Sequence, residues 1–150
     1  KTWKYKHPNP NDFIRIAEKV SGLQLDWYRT FFVNTSKTID YGIDSLWEEG
    51  GKMKIRLKNT GTMPMPVDVE LQFKDGSKEI AYIPQYLMFG SKENEEPSVK
   101  RTVFAPWRWT HPTYTIELDR KLLDLKTIEI DPLRRTADVE RKDNRLELNW

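Results

Sequence analysis

Two histidines, His7 and His111, are the only imidazoles in the chain. An imidazole can act as general base or metal ligand, but each of these is followed by proline and they lie roughly a hundred positions apart. No His-Glu pair occurs, so the H-E-x-x-H arrangement, with two imidazoles one helical turn apart around a general base, is absent. The six serines, Ser21, Ser36, Ser45, Ser77, Ser91 and Ser98, lie outside any G-x-S-x-G turn that would raise a hydroxyl nucleophile. The acidic neighbours Glu48-Glu49 and Glu95-Glu96 point to opposite faces if they lie on strands, which makes them poor acid–base pairs. The seven glycines form neither phosphate-cradling pattern, and Gly50-Gly51 reads as a hinge or turn. One stretch has binding chemistry: Trp107-Arg108-Trp109-Thr110-His111-Pro112. On a strand, Trp107 and Trp109 would share a face and stack flat against sugar rings, with Arg108 or His111 adding a polar contact. Core or domain-interface packing is the competing use of two indoles.

Composition narrows the classes further. The chain has 150 residues, 37% hydrophobic and 32% charged, consistent with a globular chain of one domain or two small ones. Lys and Arg number 25 against 23 Asp and Glu, spread evenly enough that no segment is a basic arm for nucleic acid. The most apolar stretches, Leu25 to Val33 and Ile80 to Phe89, are interrupted well before the roughly 20 apolar residues of a membrane span. Zero cysteines exclude disulfides and thiolate chemistry but leave the compartment open, export to a periplasm or cell surface included. The opening Lys1-Thr2-Trp3, with neither Met nor a leader pattern, reads as part of a longer polypeptide.

These side chains must be positioned by two kinds of element. Asn9 can cap a helix, Pro10 suits its first turn, Asp12 complements its positive start, Phe13, Ala17 and Val20 recur at helical spacing, and Ser21-Gly22 ends it. A second short run, Leu25 to Val33, stops at Asn34-Thr35-Ser36, giving a helical hairpin over 1–36. From Lys37 the period changes to two. Strands are predicted at Thr38–Asp44, Lys52–Leu57, Val67–Phe73, Glu79–Ile83, Ser98–Phe104, Tyr114–Leu118 and Thr127–Ile130. Pro64 and Pro66 make the stretch before Val67 an edge or a strand start, and 93–96 reads as a mobile loop tip. Seven such strands predict an immunoglobulin-like antiparallel β-sandwich over 37–150. A hairpin of about 36 residues lies below the size at which a chain folds unaided, so its Phe, Trp and Ile side chains must bury against the sandwich or a further domain.

The run Asp12-Phe13-Ile14-Arg15, with Glu18, Ser21-Gly22 and then Leu25-Asp26-Trp27-Tyr28, resembles the aminopeptidase-N-like zinc metallopeptidases of the gluzincin class. In that family the pattern D-F-I-R-x-x-E-x-x-S-G followed by L-D-W-[FY] lies near the end of the catalytic domain, after the zinc-binding helix. A β-sandwich often follows, and Asn59-Thr60-Gly61 through Val69, with Lys74-Asp75-Gly76, looks like its opening hairpin. The likeness is strong over 8–45, moderate over 52–76 and loose beyond. It implies zinc for the parent enzyme, held by H-E-x-x-H and a later glutamate, with a G-x-M-E-N stretch for the substrate amino terminus and a tyrosine for the oxyanion. None of those motifs is in this chain, so the resemblance carries no catalytic, cofactor-binding or metal-binding role to any residue here.

The expectation is therefore a non-catalytic carboxy-terminal portion of such a peptidase, bracing a catalytic domain of the same polypeptide. Phe13, Trp27, Phe31 and Phe32 are the expected interdomain packing residues, and the exposed helical face invites self-association when that domain is missing. The alternatives are a carbohydrate-binding sandwich using Trp107 and Trp109, and a protein-interaction sandwich using its strand edges or helix face.

Overall fold

Asn9 and Asp12 begin the first helix by exchanging hydrogen bonds: the Asp12 N–H donates to Asn9 Oδ1 and the Asn9 N–H to Asp12 Oδ2, each at 3.0 Å. With Pro10 in its first turn, α1 runs Pro10–Ser21, and the Gly22 N–H closes it on the Glu18 carbonyl at 2.8 Å. A computed structural model describes residues 4–149; Lys1–Trp3 and Trp150 lie outside the described residues. The Glu18 carboxylate accepts the Leu25 N–H at 2.8 Å, which fixes where the second helix begins. That helix, α2 at Asp26–Tyr28, widens into a π-helical turn over Arg29–Val33.

Among the described residues the rest is a mainly β fold of eight strands in two sheets. β1 (Tyr41–Glu49), β2 (Lys52–Asn59) and β6 (Thr113–Leu118) form one sheet in the order β1-β2-β6. β3 (Val67–Phe73), β4 (Lys78–Ile83), β5 (Lys100–Val103), β7 (Leu125–Ile130) and β8 (Arg145–Glu147) form the other, in the order β5-β4-β3-β7-β8. Met53, Ile55 and Leu57 of β2 and Ile116 of β6 face Val69 and Leu71 of β3 and Ile128 of β7 across a dry core.

Three features differ from the sequence expectation. β1 is longer than the alternation suggested, because a bulge between Ile43 and Ser45 resets its register and the strand then runs on to Gly50-Gly51. Both of these glycines have positive φ, 62° and 75°, the requirement of the tight hairpin turn whose twist matches the flanking strands. Secondly, β5 pairs with β4 in parallel, Glu79 opposite Lys100 through Tyr82 opposite Val103, so the sandwich is not wholly antiparallel. Thirdly, β8 adds an eighth strand of three residues. Pro66 directly precedes β3, as a strand start requires, but β3 lies between β4 and β7 and is no edge.

Candidate functional site: the helical hairpin and its junction with the sandwich

The hairpin is seated by one side and open on the other. Ile14 and Trp27 are buried, and Trp27, 7% exposed, belongs to the same apolar core as the sandwich strands. Its indole N–H donates to the Gln24 carbonyl at 2.8 Å, and the Gln24 N–H donates to the Met88 carbonyl at 3.1 Å, so the inter-helix corner is stitched to the loop after β4. Leu23, Leu25, Tyr28 and Phe31 pack partly buried against that core.

The opposite side of α1 carries Phe13, Ile16 and Val20. At about 100° per residue these fall within roughly 60° of one another, and none is buried: Phe13 is 67% and Val20 82% exposed. Phe32 and Val33, in the π-helical turn, are also about half exposed. A lone exposed apolar side chain is ordinary; here three of them share one face of α1.

The four residues expected at an interdomain contact thus divide. Trp27 is spent on the sandwich. Phe31 tilts against Trp109, with ring centroids 6.0 Å apart, and lies beneath the Lys37 ammonium at 5.0 Å. Phe32 stacks on Tyr28 at 4.9 Å with its far side open, and Phe13 touches none of these rings.

The proposed pair of indoles does not form a platform. Trp107 is 3% exposed, its indole N–H donates to the His111 carbonyl at 2.9 Å, and its ring packs edge-on to Tyr41 and tilted against Tyr114, both at 5.3 Å. Trp109 is 44% exposed. Alternation fails because the backbone is not a strand here: it bridges Gln85 at Trp107 alone and then turns, the His111 N–H closing on the Arg108 carbonyl at 2.9 Å. The Arg108 guanidinium lies over Tyr86 instead of beside the indoles.

Several buried polar groups carried no clear sequence signal. Tyr41 is buried, and its hydroxyl both donates to the Met65 carbonyl at 3.3 Å and accepts the Met65 N–H at 2.9 Å; burial pushes its pKa up to about 12. Glu79 is an inward-facing carboxylate on β4. Burial works to raise its pKa, but the Arg120 hydrogen bond at 2.9 Å and the Lys100 ammonium at 2.9 Å outweigh that, and the net shift is downward. A cleft of about 210 Å³ lies between the 92–96 loop, Ile80 and the 131–136 loop. It is strapped by the Lys92–Asp68 and Arg135–Glu95 ion pairs, and Glu96 pairs with Lys78, so these carboxylates act as ties rather than as an acid–base pair.

The zinc that the resemblance implies finds no matching donor set among the described residues. His7 and His111 are both exposed, and among the described residues no group of three or more His, Asp or Glu side chains could hold a metal ion. No described helix is long and apolar enough to cross a membrane. Comparison with protein-family models, with curated proteins and with solved structures finds no match for this chain.

Proposed function

We propose that this chain is the carboxy-terminal buttress of an aminopeptidase-N-like zinc metallopeptidase: the last helices of a peptidase domain and the sandwich that braces them. One observation carries the reading. The hairpin whose first helix bears the D-F-I-R-x-x-E-x-x-S-G pattern is anchored to the sandwich by Trp27 of α2, and α1 presents Phe13, Ile16 and Val20 uncovered on the other side. A helical hairpin with one apolar side on the sandwich and another uncovered belongs between two layers, and only one of those layers is the sandwich.

The residues of the pattern support a positioning role. Asp12 caps α1, Glu18 holds the Leu25 N–H, the Ser21 hydroxyl donates to the Ala17 carbonyl at 2.8 Å, and Gly22 ends the helix. Side chains committed to caps and corners set the angle at which a helix leaves its domain; they hold no substrate. The protein would act by geometry, with the parent's chemistry located elsewhere on the polypeptide.

The test is the coding sequence preceding residue 1 in the natural gene. An upstream H-E-x-x-H with a glutamate further along is expected. An upstream frame without that motif would overturn the proposal.

A further inference from the structure

The connection between β7 and β8 brings three arginines to one cleft. Arg134, Arg141 and Arg145 line a cavity of about 230 Å³ together with Glu129 and Asn144. The three cations are held to very different degrees. Arg141 is fixed by Asp131, through Oδ2 at 3.3 Å and the backbone carbonyl at 3.2 Å. Arg145 is loosely paired, 3.4 Å from Glu129 and 3.1 Å from Glu147. Arg134 uses its backbone N–H on the Asp131 carbonyl, and its side chain has no hydrogen bond or ion pair among the described residues.

Two further observations describe the cleft. Arg134 has φ 52°, a left-handed conformation that costs a residue with a Cβ, and Asp131 at φ 48° begins the same turn. Asn144 in the cleft wall is 2% exposed, yet neither its side-chain carbonyl nor its amide nitrogen has a hydrogen-bond partner. The side-chain atoms of Asn144 are shut off from solvent, so this residue shapes the cleft wall, and the exposed Arg134 guanidinium is the group left to meet a ligand.

We infer that this cleft binds a small oxyanion, a carboxylate or a phosphate, between the guanidinium groups of Arg134, Arg141 and Arg145, with Asn144 in its wall. Planar guanidinium forks match both kinds of oxyanion, with two parallel N–H donors per arginine. Glu129 opposes the ligand: it occupies Arg145 at a distance long enough for a second anion to displace it. The site is remote in sequence from the helical hairpin and does not depend on the function proposed above.

The test is a titration of the isotopically labelled full chain with inorganic phosphate and, separately, with acetate, sodium chloride holding the ionic strength constant. Saturable shifts of the Arg134, Arg141 and Arg145 Nε–H signals and of the Asn144 amide are expected. Saturation by phosphate alone identifies a phosphate site, and saturation by acetate a carboxylate site. Arg134→Gln keeps the side-chain stem and should weaken binding about tenfold. Glu129→Gln removes the competing carboxylate and should tighten it severalfold. Linear shifts matching those of the distant Arg56, or an affinity indifferent to both substitutions, would overturn the inference.

Discussion

Replacing Trp27 with alanine should separate the hairpin from the sandwich without destroying the sandwich itself. The indole is 7% exposed, sits in the shared core and donates to the Gln24 carbonyl, whose own residue is tied to Met88. Truncating a buried aromatic side chain costs about 3–5 kcal/mol, and the lost indole hydrogen bond, worth about 1 kcal/mol, falls inside that range. A twelve-residue helix such as α1 is marginal on its own, so once the docking of the hairpin through Trp27 of α2 weakens by this much, α1 should spend much of its time undocked. Amide hydrogen exchange measures this directly. In the unaltered chain α1 amides should be protected with the strands; in Trp27→Ala they should exchange near the unprotected rate while β2, β3 and β7 keep their protection. Phe13→Ala is the control, since at 67% exposure it should change stability by no more than about 0.5 kcal/mol. The reasoning is refuted if α1 remains protected in Trp27→Ala, or if the Phe13 substitution costs as much.

Three further expectations follow from buried groups. Glu79→Gln should cost roughly 1.5–3 kcal/mol at neutral pH, because it removes the charge that Arg120 and Lys100 solvate. The Glu79 pKa is lowered on folding, so that stabilisation is present above its ordinary value of 4.5 and fades as pH falls through the lower folded value; urea melts of both proteins should therefore converge in acid. Tyr41 behaves oppositely: its pKa rises from 10.0 to about 12, so stability should fall between those values by at most about 2.7 kcal/mol as the unfolded chain alone ionises, and alkaline melts of Tyr41→Phe should lack that component. Gly61→Ala would place a Cβ 2.5 Å from the Asp40 nitrogen and 2.6 Å from the Thr38 carbonyl oxygen, both rigid backbone; thermal unfolding should register a loss of about 1–3 kcal/mol.

The parts of the fold that local chemistry dictates were legible in the residues. Asn9, Pro10, Asp12 and Gly22 mark the limits of α1 because caps act within a few residues of the helix end. The alternating apolar positions of β2, β3, β4, β6 and β7 mark strands because one face of each is dry. What escaped depends on partners distant in sequence. The parallel pairing of β5 follows from the path of the long connection after β4, and β8, three exposed residues long, exists only because β7 offers an open edge. The bulge at Asp44 hid the second half of β1 by shifting its alternation. The Trp107 and Trp109 side chains were assigned to one face on the assumption of a strand, and the turn that follows Trp107 sends them apart. The arginine cleft has no sequence signature at all, since its residues converge only when the 131–144 loop folds back on β7.

The most direct test is covalent surface labelling of the α1 face in two forms, this chain alone and the longer polypeptide that the proposal requires. A carbene-type reagent should modify Phe13, Ile16 and Val20 in the isolated chain and leave them protected in the longer polypeptide, while the exposed Thr115 on β6 labels equally in both. Equal labelling of Phe13, Ile16 and Val20 in the two forms would contradict the account of a buttress whose outer helix face is covered by a peptidase domain.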